Sequence, residues 1–206
     1  GPTGSGKTTV IKLLSKLYDN FEGEILIDGR SIVDLEPSWL RQQISFVPQD
    51  IVLFDGSIAF NIGLDTQSIS RAEIEKAAEL VGADRFIKKL PGTYDYPIRE
   101  QGNNLSLGQR QLITFARALA RQPQLVILDE ATASVDATSE RMIQSAIDRI
   151  LKDRTVMVIA HRLSTIQHCD QIVVLESGEI KEIGTHDELL ESAGAYFNLY
   201  QSIRET

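Results

Sequence analysis

The chain has 206 residues, 42% of them hydrophobic, enough for one large domain or two small lobes with a real core. Twenty-nine acidic against twenty-one basic residues leave a formal charge of -8, which argues against a surface built mainly to hold nucleic acid. A single cysteine, Cys169, excludes an internal disulfide framework and a multi-cysteine zinc site and fits a reducing compartment.

The chain opens with GPTGSGKTTV. Gly1, Gly6, Lys7 and Thr8 satisfy the spacing Gly, four residues, Gly-Lys-Ser/Thr of a phosphate-binding loop, and Thr3, Gly4, Ser5 and Thr9 complete the stretch. Glycines there let successive backbone N–H groups curl around an anion, the lysine reaches the outer phosphates, and the hydroxyl of Thr8 is placed to bind Mg²⁺. Such a loop normally follows a strand. We expect these residues to be a piece of a longer polypeptide, which would fold poorly without that strand.

Beyond the loop, residues 8–18 predict a helix with an apolar stripe of Val10, Ile11, Leu13, Leu14 and Leu17. GEILIDG (23–29) alternates like a half-exposed strand. ISFVPQ (44–49), LVILDE (125–130) and TVMVIAH (155–161) are continuous apolar runs, as expected of strands covered on both faces. RAEIEKAAELVGADRFIKKL (71–90) is helical and lies between two of those runs, which predicts an inserted helical lobe over about 51–122 between core segments 1–50 and 123–206. IVVLESGEIKEIG (172–184) predicts a hairpin turning near Ser177-Gly178. One or two terminal helices follow, docked through Tyr196, Phe197, Leu199 and Tyr200. Strands alternating with helices imply an α/β fold with a largely parallel sheet. No apolar run approaches the roughly 18 residues of a membrane-spanning helix, so any link to a membrane comes through another segment or chain.

Ligands of open parallel sheets bind beyond the carboxyl ends of the strands, where Gln49, Asp129, Glu130 and His161 sit. Asp129 follows LVIL in the Walker B pattern, whose aspartate holds Mg²⁺ directly or through water. Glu130 is then placed to orient a water as general base. The competing account is that these acids cap the next helix or face solvent.

NNLSLGQRQLITFARALARQ (103–122) contains Leu105-Ser106-Leu107-Gly108-Gln109, followed by a helical stripe of Leu112, Phe115, Ala116 and Leu119. This resembles the Leu-Ser-Gly-Gly-Gln signature of the ATP-binding cassette (ABC) family, with Leu107 in place of a glycine. Gln49 is similar to that family's Q-loop glutamine, Ser134-Val135-Asp136 to its D-loop and His161 to its H-loop histidine. The resemblance spans essentially the whole chain. FVPQDIVLFDGSIAFNI (46–62) is similar to the segment after the Q-loop in multidrug, lipid and peptide exporters. Arg99-Glu100-Gln101-Gly102 is similar to the Gly-Glu-Arg-Gly stretch that exporters set against their transmembrane domains. Glu100 matches it; Arg99 and Gln101 depart.

The resemblance implies a P-loop NTPase core that binds ATP and Mg²⁺ and works as the motor of an exporter on the cytoplasmic face of a membrane. Its partners would be transmembrane domains, fused N-terminally, and a second cassette bound head to tail. Gly1, Thr3, Gly4, Ser5, Gly6, Lys7, Thr8 and Thr9 would grip one nucleotide, with Thr8, Gln49 and Asp129 at the metal. Ser106, Gly108 and Gln109 of the opposite cassette would cover the γ-phosphate, with Asp136 nearby. Glu130 and His161 would be catalytic, and Gln49 would transmit closure towards the membrane domains. Leu107 must point away from nucleotide or crowd it.

Two other classes remain open on the sequence. A cassette ATPase of DNA repair, chromosome maintenance or translation would carry coiled-coil insertions, zinc cysteines or basic surfaces, and none is visible. A regulatory module without catalysis would lack the general base, yet Glu130 is present. GTPases are disfavoured because no Asn-Lys-x-Asp motif occurs.

Overall fold

The structure is a computed structural model that describes residues 1–2, 4–64, 69–129, 136–152, 154–160 and 163–204. In chain order come α1 (Lys7–Leu14), β1 (Leu26–Ile27), β2 (Arg30–Ser31), α2 (Pro37–Gln43), β3 (Ile44–Val47), β4 (Gly56–Ser57) and α3 (Ile58–Gly63). Next are α4 (Arg71–Val81), α5 (Asp84–Ile87), β5 (Pro97–Ile98), α6 (Leu107–Ala120), β6 (Leu125–Asp129) and α7 (Ala137–Lys152). The chain closes with β7 (Thr155–Ile159), α8 (Leu163–Gln167), β8 (Ile172–Glu176), β9 (Glu179–Gly184), α9 (His186–Glu191) and α10 (Ala195–Arg204). Two compact units result: residues 1–40 with 159–206, and residues 41–158.

The second unit holds the largest apolar core. Its sheet has the order β3-β6-β7, and β3 runs parallel to β6 with Ile44 opposite Leu125 and Val47 opposite Leu128. Only the middle strand is covered on both faces, Val126, Ile127 and Leu128 all being buried. The expectation of full coverage fails for its neighbours: Phe46 is 41% exposed and Met157 37% exposed. A continuous apolar run signals a strand, but its neighbours in the sheet decide how many faces are covered.

Helices enclose that core by the expected periodicity. α4 buries Ile74, Ala77, Ala78 and Val81, one face at helical spacing, and starts with a capping box in which Ser70 and Glu73 satisfy each other's backbone N–H. It stops at Gly82, whose φ of 76° is left-handed, and Ala83 N closes back on Ala78 O at 2.8 Å. The helical stretch 71–90 is therefore two helices, α4 and α5. α6 buries Leu112, Ile113, Phe115, Ala116, Leu119 and Ala120, nearly all round, as a helix inside a core must. α7 adds Ile143, Ala146, Ile147 and Ile150.

In the first unit α1 ends at Leu14, four residues short of the predicted Tyr18, because Lys16 turns left-handed at φ 51°. The ammonium of Lys16 donates to Val33 O at 3.0 Å and Leu35 O at 2.8 Å, which holds that turn in place. β8 and β9 form the expected antiparallel hairpin, with Ser177 and Gly178 both at positive φ in its turn. Val174, Leu189 and Tyr196 form a small core, against which Leu199 and Tyr200 pack, so the C-terminal helices dock through Tyr196, Leu199 and Tyr200 as anticipated, while Phe197 is not part of that cluster. Glu182 on β9 anchors α10 by accepting from Ala195 N at 3.2 Å and Tyr196 N at 2.8 Å, two N–H groups that the helix itself leaves unpaired.

Candidate functional site

The glycine-rich loop lies in the first unit. Gly4 (φ 81°) and Gly6 (φ 106°) are both left-handed, so a side chain at either would be strained whatever the space around it. A Cβ on Gly4 would meet nothing within 4 Å, so that glycine serves backbone geometry and leaves its side of the loop open. Gly1 is confined for the opposite reason, because a Cβ there would run into Leu175 O. Ser5, between the two bends, is 2% exposed, and its carbonyl accepts from Gly178 N at 3.0 Å. The hairpin turn thus supports the loop.

Lys7 begins α1, and its ammonium donates to Gly1 O (2.6 Å), Pro2 O (2.7 Å) and Ser5 Oγ (3.2 Å). These bonds draw the loop into a ring closed by its own lysine. Gly6 is the N-cap of α1; it supplies no side-chain cap, and the first turn carries no acid. Among the described residues no side chain caps the opening turn of α1, and the positive end of its dipole suits an anion. Thr8 and Thr9 are exposed in that turn.

In the second unit, Gln49 is exposed just past the end of β3 and Asp129 is half-buried as the last residue of β6. Both occupy carboxyl ends of strands in the parallel pair. The side-chain oxygens of Gln49 and Asp129 are donors of the kind a hard cation takes. Thr3, Glu130, Ser134, Val135 and His161 lie outside the described residues.

Ser106 is the N-cap of α6 in a second capping box: its Oγ accepts from Gln109 N at 3.3 Å, and Ser106 N donates to Gln109 Oε1 at 3.0 Å. The hydroxyl lends a lone pair here and keeps its proton for another acceptor. Gln109 spends its side-chain oxygen on the box. Leu107 is half-buried as the first helical residue, and Gly108 is buried against α7, where a Cβ would come within 2.8 Å of Ser139 Cβ. Gly108 is thus required by the packing of α6 against α7. Asp136 caps α7, its Oδ1 accepting from Thr138 N and Ser139 N at 3.0 Å each. Hydrogen bonding from the Ser139 side chain, then from backbone N–H groups, holds its carboxyl below the ordinary aspartate value.

Two residues that bear on this unit escape sequence reading. Asn61 is fully buried and Arg117 half-buried, and they bond each other across 56 positions. The signals available were an asparagine inside the apolar run SIAFNI and an arginine on the buried helix FARALA. A separate cavity of about 410 Å³ is lined by Val81, Phe86, Leu112, Met142 and several basic side chains, and none of the predicted site residues borders it.

The ABC transporter family profile matches residues 1–133. A probable multidrug resistance ABC transporter ATP-binding/permease protein of Bacillus subtilis is 48% identical over 98% of this chain and 30% of its own length. An ATP-dependent lipid A-core flippase of Photobacterium profundum is 52% identical over 98% of this chain and 34% of its own length. The solved structure of a bacterial Atm1-family ABC exporter with ATP bound superposes with a TM-score of 0.87 at 40% identity, covering 98% of this chain and 35% of the other. The chain spans about a third of the length of these relatives. It belongs to the ABC transporter family.

Proposed function

We propose that this chain is the ATP-hydrolysing motor of an exporter, working as one of two cassettes that close head to tail around two nucleotides. The observation that carries the reading is the loop Gly4-Ser5-Gly6, left-handed at both glycines, leading into a start of α1 that no side chain caps, with Lys7 bonded inside it. Backbone N–H groups of Gly4 to Thr9 and the Lys7 ammonium bind the β- and γ-phosphates of ATP. Thr8, Gln49 and Asp129 would hold Mg²⁺, which when bound neutralises phosphate charge. Glu130 accepts a proton from the attacking water, and His161 donates to the γ-phosphate as charge builds. Ser106 Oγ and the amide of Gly108 from the opposite cassette exclude water from the outer face of that phosphate. Permease-named relatives support membrane domains as the driven load and a place at the cytoplasmic face of a membrane.

The test uses the full-length protein in detergent or vesicles. ATPase activity should require Mg²⁺ and fall by about 10²- to 10⁴-fold in Glu130→Gln, the ordinary cost of losing a general base. Nucleotide-loaded Glu130→Gln protein should trap a closed cassette pair that crosslinks from an engineered cysteine at position 106 to the phosphate-loop side of its neighbour. Undiminished turnover in Glu130→Gln would refute the catalytic assignment.

A further inference from the structure

Helix α6 carries Ser106 at its start and Arg117 in its last turns, about 16 Å further along at 1.5 Å per residue. Arg117 donates through Nε to Asn61 O (2.7 Å), through Nη1 to Val52 O (2.7 Å) and through Nη2 to Asn61 Oδ1 (3.1 Å). No carboxylate is among these acceptors. Burial pushes the guanidinium below its ordinary pKa, so a partly desolvated cation is held by neutral oxygens alone. The planar fork reaches three oxygens at once, which the point charge of lysine does not reproduce.

Asn61 completes the link. It is 0% exposed, and its Oδ1 also accepts from Phe54 N at 2.8 Å while Nδ2 donates to Phe54 O at 2.8 Å and Ser57 O at 3.1 Å. The loop 52–57 is further braced by the β4–β5 pairing, by Gln101 N donating to Asp55 Oδ1 at 3.4 Å, and by the Arg117 guanidinium lying 5.5 Å from the Phe54 ring centroid. Despite this bracing, Val52 is 51% exposed and Phe54 47% exposed. A backbone tied this firmly beneath exposed apolar side chains moves with whatever holds it.

We infer that Arg117 is a positioning residue that links the signature end of α6 to the loop 52–61. Displacement of Ser106 by nucleotide on the opposite cassette is carried along α6 as a rod and delivered through the Arg117–Asn61 fork to Val52 and Phe54, by a route separate from Gln49. This rests on the cassette function proposed above.

Hydrogen exchange on the full-length Glu130→Gln protein, with and without ATP and Mg²⁺, tests it without touching the link. Amides of residues 52–61 should exchange at least about fivefold more slowly with nucleotide, the lower range of ordinary coupling between sites. Unchanged exchange there, beside slowed exchange in residues 4–9, overturns the link while leaving the cassette reading intact. Absence of any response in residues 4–9 overturns both. In the same background Arg117→Lys keeps the charge but loses the fork. It should abolish the slowing at 52–61 and retain it at 4–9, the latter also reporting that the variant is folded. Persistence of the slowing at 52–61 in that variant overturns the role of Arg117. A purely structural role would instead raise exchange throughout the segment equally in both states.

Discussion

α1 begins at Gly6, which has no side chain to cap the helix, whereas α6 begins at Ser106, whose hydroxyl accepts from Gln109 N while Gln109 returns its oxygen to Ser106 N. The two starts serve different ends. At α1 no side chain caps the first turn, and the bends leading to it need glycine, so the positive end of the helix dipole is not neutralised by an acid or a cap of its own. At α6 a capping box satisfies the helix internally, and only the proton of the Ser106 hydroxyl is left to offer. One start lacks a side-chain cap of its own; the other is capped from within and presents a single extra donor, the Ser106 hydroxyl.

The sharpest way to break this contrast is at Lys7. Lys7→Ala removes the cation from the loop and should lower ATP turnover of the full-length protein by about 10²- to 10³-fold, the scale for losing one preorganised electrostatic group. A fall in turnover of less than tenfold would show that the loop does not hold the transferred phosphate. At α6 the two roles of Ser106 separate in Ser106→Asn. Asparagine caps as well as serine, so thermal stability should be unchanged, yet the hydroxyl donor is gone and turnover should drop about 10- to 100-fold, as for a hydrogen bond to a charged acceptor. Ser106→Ala should lose the same activity and also about 1 kcal/mol of stability.

Packing behind the signature gives the next effect. Gly108→Ala drives a methyl group into Ser139 and should cost about 1–3 kcal/mol, a fall in melting temperature of roughly 2–4 °C per kcal/mol. Ser139→Gly should restore much of it. No rescue would mean that the close approach of α6 and α7 is not what confines Gly108.

The smallest effect concerns pH. The folded-state pKa of Asp136 is lowered, so its contribution to stability is complete above the ordinary aspartate range and is lost as pH falls through the lowered value. Asp136→Asn keeps the cap of α7 but does not titrate, so the decline in melting temperature below about pH 4 should become shallower. An unchanged acid limb would assign acid sensitivity elsewhere, with Glu73 and Glu188, also held low by capping bonds, as the next groups to replace.

How legible each feature was follows from how local its cause is. The phosphate loop, the Ser177-Gly178 hairpin and the buried stripe of α6 were readable because turn chemistry and helical period act within a few residues. The break at Gly82 and the early end of α1 at Lys16 were less so. Gly82 sits in an otherwise continuous helical pattern, and the turn at Lys16 is secured by carbonyls near residues 33–35. The exposed faces of Phe46 and Met157 escaped because an apolar run reads alike in a central and an outer strand.

By itself, then, the sequence determined the family, the order of the nucleotide-binding motifs and the α/β character, since each is written in short-range spacing that a phosphate or a packed helix demands. The tertiary structure alone decided that Gly108 must yield to Ser139, that the Gly178 amide holds the Ser5 carbonyl, and that Arg117 and Asn61 share one buried network. Those are contacts between residues far apart in the chain. Their energies come from desolvation and close packing, which exist only once the elements have been brought together.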